Sequence, residues 1–484
     1  MSAATSENRL SKTKIIATIG PASSSREKLK ALVEAGVDVF RLNFAHGKHE
    51  WLHELVESIR SVSAELKQPI GLLADLSGPK IRLGTVPGDD FVCELGATID
   101  FVRGEQTQEP GKLTCTYEQL IDDVRPGDRI LMADGTVSLK VVECNPTAGW
   151  VRCVVNGPGR VRSRQGVNLP GVALSTPSLT DKDRDDLAWA LAHDLDFIGL
   201  SFVRSGKDVR ELREAITAAK PKVTPLIVSK IEKMEAIDDL DAILTETDAV
   251  MVARGDLGLE LPLERVPRIQ KDVTRRARAL GMPVILATQV LESMRTETRP
   301  TRAEVSDAAF AVDSGVDAIM LAGETAIGQH PVRTVQVLDA IIRDAEAMPP
   351  ASPGQQPDSV RLLGGHGRAI CEAAVTLANR GEASAIVAIT RGGKTARLLS
   401  ALRPRAPIFA ATDNAVMARQ LTLAWGVIPV LCGSMQGDVS DEAYRIGQML
   451  VDDGSIPKGS VIVLVSITPE LARGSSNFLK LQRV

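Results

Sequence analysis

Short apolar, β-branched runs recur along the chain, and most follow a stretch of helical periodicity that closes on Gly or Asp. The runs are KIIATIG (14–20), VFRLNF (39–44), IGLLADL (70–76), FIGLSF (197–202), PLIVSKIE (225–232), AVMVARG (249–255), PVILATQ (283–289) and AIMLAGE (318–324). Between them lie amphipathic segments such as SREKLKALVEAG and LERVPRIQKDVTRRARALG, long enough for crossover helices. Eight such units predict an α/β fold, a (β/α)8 TIM barrel, with a doubly wound open sheet as the alternative.

One connection breaks the rhythm. The third run is followed by about 120 residues where a loop and helix need about 30. Its segments FVCELGATIDFV, DRILMADGTVSLKVVE and GWVRCVVNGPGRV are rich in Val and Ile with Gly and Asp turns, which predicts an inserted small β-barrel lid domain. After the eighth run, PPASPGQQPDSV reads as a linker, and the remainder alternates helix and strand as a C-terminal open α/β domain. The predicted division is barrel 1–78, β-module 79–175, barrel again 176–348, linker 349–360 and C-terminal α/β domain 361–484.

In a barrel of this type the functional groups stand at the C-terminal ends of the strands. Those ends carry Arg41 and Asn43 followed by His46, then Asp75, Lys230 with Glu232, Arg254 with Asp256, Thr288 with Gln289, and Glu324. Gly255 lets the backbone turn at the sixth end. Lys230 and Glu232 are two apart on one strand and share a face. Glu232 and Asp256, with no His or Cys in support, are hard oxygen donors suited to Mg2+ or Mn2+. With Arg41 and Lys230 beside them, they suit phosphoryl transfer, which is mostly positioning and charge neutralisation. A rim salt-bridge cluster is the bland alternative, and it leaves Arg41 and Thr288 unexplained.

Composition narrows the reading. The chain has 484 residues, 44% hydrophobic and 24% charged, and a net charge of -4, so no general affinity for nucleic acid or anionic membrane is expected. Six scattered cysteines with no CxxC pair fit reduced thiols in the cytoplasm rather than zinc. No apolar leader and no long uncharged apolar run is visible, so neither export nor membrane insertion is expected. An adhesion role for Arg254-Gly255-Asp256 loses its weight in that setting.

The segments RLNFAHG, SGPKIR, IVSKIEKMEAIDDLDAI, DAVMVARGDLGLELPLERVPRIQK, ATQVLESM, RPTRAEVSDAAFAV and IMLAGETAIGQHPV closely resemble pyruvate kinase, and the likeness runs nearly the whole length of the chain. It implies phosphoryl transfer from phosphoenolpyruvate to ADP in glycolysis, giving pyruvate and ATP, with Mg2+ at the barrel mouth and a homotetramer. Carried over by position, Glu232 and Asp256 hold the metal and Arg41 the phosphate. Lys230 neutralises the phosphoryl group in flight, and Thr288 stands where the enolate is protonated through water. Gly255 and Asp256 join the substrate site. Asn43, His46, Arg82 and Lys182 match nucleotide-phosphate contacts, with Arg82 also counted among the catalytic groups. Ala322 departs from the family's usual Ser, and Glu324 takes a supporting place. A metal-dependent barrel lyase acting through a pyruvate enolate is the alternative, disfavoured because it needs neither lid nor C-terminal domain. A non-catalytic barrel is a third reading, disfavoured because Lys230, Glu232 and Asp256 are all present.

Two further expectations follow. Most members of the family bind K+ beside the substrate phosphate, whereas here the positions concerned read Asn43, Ala45, Asp75, Leu76 and Lys80. Ala45 removes a hydroxyl ligand and Lys80 supplies a built-in positive charge, which predicts activity without K+; solvent exposure of Lys80 and neutral drift at Ala45 is the bland account. In the C-terminal domain, the strand SAIVAIT runs into Thr390, Arg391, Gly392, Gly393, Lys394 and Thr395, where freed backbone N–H groups could face an anion at a helix start. An ordinary glycine turn is the competing account. The resemblance implies a phosphorylated effector there, with Gly474, Ser475 and Ser476 as a second loop.

Overall fold

The computed structural model describes residues 11–45, 47–348, 365–433, 439–467 and 477–484. His46, the linker 349–360 and residues 474–476 lie outside them.

The eight runs form the strands Lys14–Thr18, Val39–Asn43, Gly71–Asp75, Phe197–Leu200, Leu226–Ile231, Ala249–Ala253, Val284–Ala287 and Ala318–Leu321. Each pairs in parallel with its neighbours in the chain, and the first pairs with the last through Lys14 and Ala318, so the sheet closes. The closed ring decides against the open sheet. Both faces of every strand are covered, which is why the runs are almost continuously apolar.

The inner face is filled by Ile16, Val39, Leu73, Phe197, Val228, Met251, Ile285 and Met320, one buried side chain from each strand. The outer face packs on helices such as Arg26–Ala35, His49–Leu66 and Gly206–Ala219. Local signals set the helix starts. Ser25 accepts from Lys28 N at 3.3 Å, and Thr180 and Thr301 form capping boxes with Asp183 and Glu304.

The side-chain alternation along a strand then dictates the mouth. Two residues beyond the apolar plug, the same inward face carries Thr18 above Ile16, Arg41 above Val39, Asp75 above Leu73 and Lys230 above Val228. A polar layer thus rests directly on an apolar one.

Between the third and fourth strands the chain builds a β-module: a six-stranded sheet with the long strands Val137–Asn145 and Trp150–Gly157 near its centre, and a two-stranded ribbon, sharing one core. Its return path is pinned by Arg204, which donates to the carbonyls of Leu174 at 2.7 Å and Thr176 at 3.0 Å.

The C-terminal unit has parallel strands Ala385–Ile389, Ile408–Thr412, Val427–Leu431 and Val461–Ser466, with Phe478–Arg483 antiparallel at one edge. It docks against the N-terminal ends of the barrel strands. There the buried Asp196 accepts from Arg60 at 3.1 Å and from Arg419 of the C-terminal unit at 2.7 Å.

Candidate active site

The polar layer is a chain of alternating charges. Asp75, fully enclosed, accepts from Arg41 Nε at 2.6 Å through Oδ2, while its Oδ1 lies 3.4 Å from Lys230 Nζ. Lys230 continues to Glu232 Oε1 at 2.9 Å and donates to Ser201 Oγ at 2.8 Å; Ser201 in turn donates to the Leu76 carbonyl at 2.6 Å. Burial pulls the Lys230 ammonium toward neutrality, but Asp75, Glu232 and Asp256 outweigh it and raise its pKa, so the side chain stays charged. Burial likewise opposes ionisation of Asp75, and the charges of Arg41 and Lys230 reverse that and lower its pKa. Glu232 goes the other way: burial raises its pKa, Lys230 offsets part of this and Asp256 adds to it.

Glu232 Oε2 accepts from the Phe202 amide at 2.8 Å, but Oε1 is sealed from solvent without a hydrogen bond of good geometry despite the nearby ammonium. A buried oxygen in that state fits a metal ligand. Among the described residues no group of three or more His, Cys, Asp or Glu side chains stands ready to hold a metal, so Glu232 and the half-buried Asp256 would leave most coordination positions to substrate oxygens. This donor set fits a hard divalent ion.

The sixth strand stops at Ala253, earlier than the apolar run predicts, because Arg254–Glu260 winds into a short helix. Gly255 N donates to Thr288 Oγ1 at 2.8 Å, and a side chain at Gly255 would press on that hydroxyl at 3.3 Å. Thr288 and Gln289 both have positive φ, 67° and 56°. For a β-branched residue this conformation costs roughly 1–3 kcal/mol and needs support. Arg254 gives it: the guanidinium donates to the Thr288 carbonyl at 3.1 Å and the Gln289 carbonyl at 2.9 Å, and is anchored by Asp307 at 2.7 Å. Arg254 therefore does not face the mouth as its place at a strand end predicts; it holds the turn that presents Thr288.

Arg41, Asp75, Ser201, Lys230, Glu232, Asp256 and Thr288 line one cleft of about 110 Å3 at the C-terminal end of the barrel, which also takes in Asn43, Ala45, Leu76, Lys80 and Ala322. A family model described as pyruvate kinase, barrel domain, matches residues 10–335, and a second, described as pyruvate kinase, alpha/beta domain, matches residues 368–482. The chain belongs to the pyruvate kinase family. A pyruvate kinase of Staphylococcus epidermidis is 40% identical over 479 residues, 98% of this chain and 80% of that protein. Pyruvate kinase 2 of a Synechocystis strain is 41% identical over 483 residues, 98% and 79% respectively. A crystal structure of a pyruvate kinase from Cryptosporidium parvum superposes with a TM-score of 0.89 at 34% identity, covering 98% of this chain and 96% of that one. As a pyruvate kinase homologue throughout its length, the chain is an enzyme of the phosphotransferase class.

Within this pyruvate kinase fold the sequence-derived candidates separate by place. Arg41, Lys230, Glu232, Asp256 and Thr288 come together at the mouth, with Gly255 donating to Thr288 just behind it. Lys182 stands beside it, holding the Phe44 carbonyl at 2.9 Å and Asp186 at 2.5 Å, while Asn43 accepts from Ala45 N at 3.1 Å. Arg82 is on the β-module, donating to the Arg164 carbonyl at 3.0 Å, and is not among the residues lining the cleft. Glu324 is fully buried, with its carboxylate taken by the amides of Ala322 and Leu291. In the C-terminal unit Thr390 accepts from Gly393 N at 2.9 Å, Gly393 has φ 74°, and Arg391, Gly392 and Lys394 are exposed at the start of the helix Lys394–Ala401, with Thr395 buried.

Sequence reasoning missed Ser201, which bridges Lys230 to the Leu76 carbonyl. Its signal was available: counting two by two from the inward Phe197 passes Gly199 and reaches Ser201.

Proposed function

We propose that the chain transfers the phosphoryl group of phosphoenolpyruvate to ADP, releasing pyruvate and ATP as a glycolytic step in the cytoplasm. The observation that carries this is Lys230, buried yet held cationic between Asp75 and Glu232 beside Arg41. Arg41 and Lys230 offer the positive charge that a phosphoryl group in transfer needs, preoriented by their carboxylate partners. Glu232 and Asp256 would hold Mg2+ or Mn2+, which when bound supplies charge neutralisation for the substrate oxygens. Thr288, fixed by Arg254 and Gly255, orders a water toward the face where the methylene carbon takes its proton. Asn43, His46, Arg82 and Lys182 serve the nucleotide phosphates. Arg82 reaches them as the β-module closes, which fits its place on that module. Residues 79–175 are thus the lid and 361–484 the effector domain. Pyruvate formation that requires both ADP and the divalent ion is the expected result; pyruvate released without ADP would move the assignment to a barrel lyase.

Three finer readings belong to the same proposal. Catalysis runs without K+, because Ala45 and Leu76 offer no side-chain oxygen, Lys80 lines the same cleft, and Asp75 is already engaged by two cations. A phosphorylated metabolite binds at Thr390–Thr395 with Gly474, Ser475 and Ser476. Lys394→Ala is then expected to abolish activation by such metabolites, and an unchanged response would place the effector elsewhere. Finally, the chain assembles as a homotetramer. The helix Arg302–Asp313 exposes Val305 and Phe310, and the C-terminal unit exposes Leu431, Tyr444 and Leu481, apolar surface suited to self-association. Light scattering at micromolar concentration checks this, and a monomer would refute it.

A further inference from the structure

Where the C-terminal unit meets the barrel floor, a small interdomain cavity is lined by Arg278, Arg397 and Arg403 with a single carboxylate, Asp317. Arg278 comes from the helix Val266–Ala279 of the barrel and Arg397 from the helix Lys394–Ala401; Arg403 follows just after that second helix. The Asp317 carboxylate is already committed: Oδ2 accepts from Val284 N at 2.9 Å and Oδ1 from Arg403 Nη2 at 2.9 Å. Among the described residues neither Arg278 nor Arg397 has a carboxylate within salt-bridge distance, and Arg397 reaches only the Met417 sulfur at 4.0 Å.

Arg403 is the informative side chain. A guanidinium carries five N–H donors. Both on Nη2 are used, one by Asp317 and one by the Gly315 carbonyl at 2.9 Å. The nitrogens Nε and Nη1 are sealed from solvent and have no protein acceptor, although the side chain as a whole keeps 16% of its exposure. The flat face is occupied by Trp425, whose ring centre lies 4.5 Å away, so the remaining donors are confined to the edge of the plane. Arg278 is pressed against the same loop, since a side chain at Gly315 would meet its Nη1 at 2.2 Å. Three guanidinium groups thus line a cavity with one carboxylate in its wall, and Arg403 Nε and Nη1 find no protein acceptor there. Burial, partly offset by Asp317 and Glu346 and reinforced by Arg278, brings the Arg403 pKa down to about 10, and burial, partly offset by Asp248, also lowers that of Arg397.

We infer that this cavity is a seat for a small inorganic anion of about chloride size, held by the free edge of Arg403 together with Arg278 and Arg397. Its volume of about 10 Å3 admits the centre of a single water-sized guest and excludes a sugar phosphate or nucleotide. The anion accepts the donors that the fold leaves over. It also has a mechanical consequence. The helix Lys394–Ala401 begins at the Thr390–Thr395 loop and carries Arg397 on its body, so an anion on the barrel side fixes how that helix sits on the floor.

The test uses the full-length enzyme and bromide as the probe. Crystals soaked in bromide should show an anomalous peak in contact with Arg403 Nε and Nη1, and the absence of a peak there would overturn the proposal. In solution, the unfolding midpoint should be about 2 °C higher in chloride or bromide than in gluconate at matched ionic strength. Arg403→Gln should remove that difference. Because Arg403→Gln also breaks the Asp317 contact and could impair folding, Arg278→Gln, which breaks no ion pair among the described residues, serves as the second variant and should at least halve the effect. Equal midpoints in all salts, or the same gain from phosphate as from chloride, would mean that no size-selective site exists.

Discussion

Two clusters of basic side chains sit at opposite ends of the same barrel and balance their charge differently. At the mouth, Arg41 and Lys230 alternate with Asp75 and Glu232. At the floor, Arg278, Arg397 and Arg403 line a cavity whose one carboxylate, Asp317, pairs with Arg403, while Asp248 and Glu346 act on Arg397 and Arg403 from outside its lining. The mouth therefore balances its cations with carboxylates of its own. The floor leaves two Arg403 nitrogens without a protein acceptor, and it lies between two units.

The most forceful way to break the comparison is to remove the central cation of the mouth. Lys230→Met should lose on the order of 4 kcal/mol of transition-state stabilisation, about a thousandfold in kcat, while divalent-ion binding followed by Mn2+ titration persists. Near-normal turnover would end the phosphoryl-transfer reading.

A subtler cut leaves every mouth charge in place and relaxes the backbone beneath. Arg254→Gln frees the Thr288–Gln289 turn, and kcat should fall roughly 10- to 100-fold with a smaller change in KM for phosphoenolpyruvate. Solvent exchange of the pyruvate methyl protons should be altered in the same variant. Unchanged kinetics would show that the turn holds its shape without Arg254.

The third test adds an oxygen and removes a charge at the cleft wall. Ala45→Ser with Lys80→Glu should make activity rise about tenfold with K+ at matched ionic strength, whereas the parent enzyme shows no K+-specific gain. Strong K+ stimulation of the parent would reverse the reading of Lys80.

The smallest effect concerns protons. Glu232 has a folded pKa raised above the ordinary 4.5 by burial, so it binds a proton that a metal must displace. Divalent-ion affinity should drop by up to about tenfold per pH unit as pH falls through that raised value. In the metal-free enzyme the same group contributes stability that is present below pH 4.5 and lost as pH rises through the raised pKa. Asp75, whose pKa is lowered, works in the opposite sense: its contribution is present above the ordinary 3.8 and lost as pH falls through the folded value. Metal affinity flat across the acidic range would remove Glu232 from the ligand set.

Much of this architecture was readable from apolar runs ending in polar residues, because a barrel strand must be apolar on both faces until it reaches the mouth. Arg41, Lys230, Glu232, Asp256 and Thr288 announced themselves in that way. Ser201 was hidden inside a run that looked purely structural, and the outward turn of Arg254 could not be read because it depends on the positive φ of two residues just past the end of another strand. Arg82 and Lys182 carry no local pattern; the resemblance alone singled them out. The floor cluster was invisible for a different reason, since Arg278 and Arg403 are 125 positions apart in sequence and meet only where the C-terminal unit packs on the barrel.

The β-module enters and leaves between two strands that are already neighbours: Leu76 N bonds to the Gly199 carbonyl at 3.0 Å across that gap. No hydrogen bond of the ring passes through the insert. The barrel's registration is consequently indifferent to what is spliced there, and the rim between the third and fourth strands is a permissive site for length variation, where a cover can be enlarged, shortened or exchanged without renegotiating the scaffold beneath it.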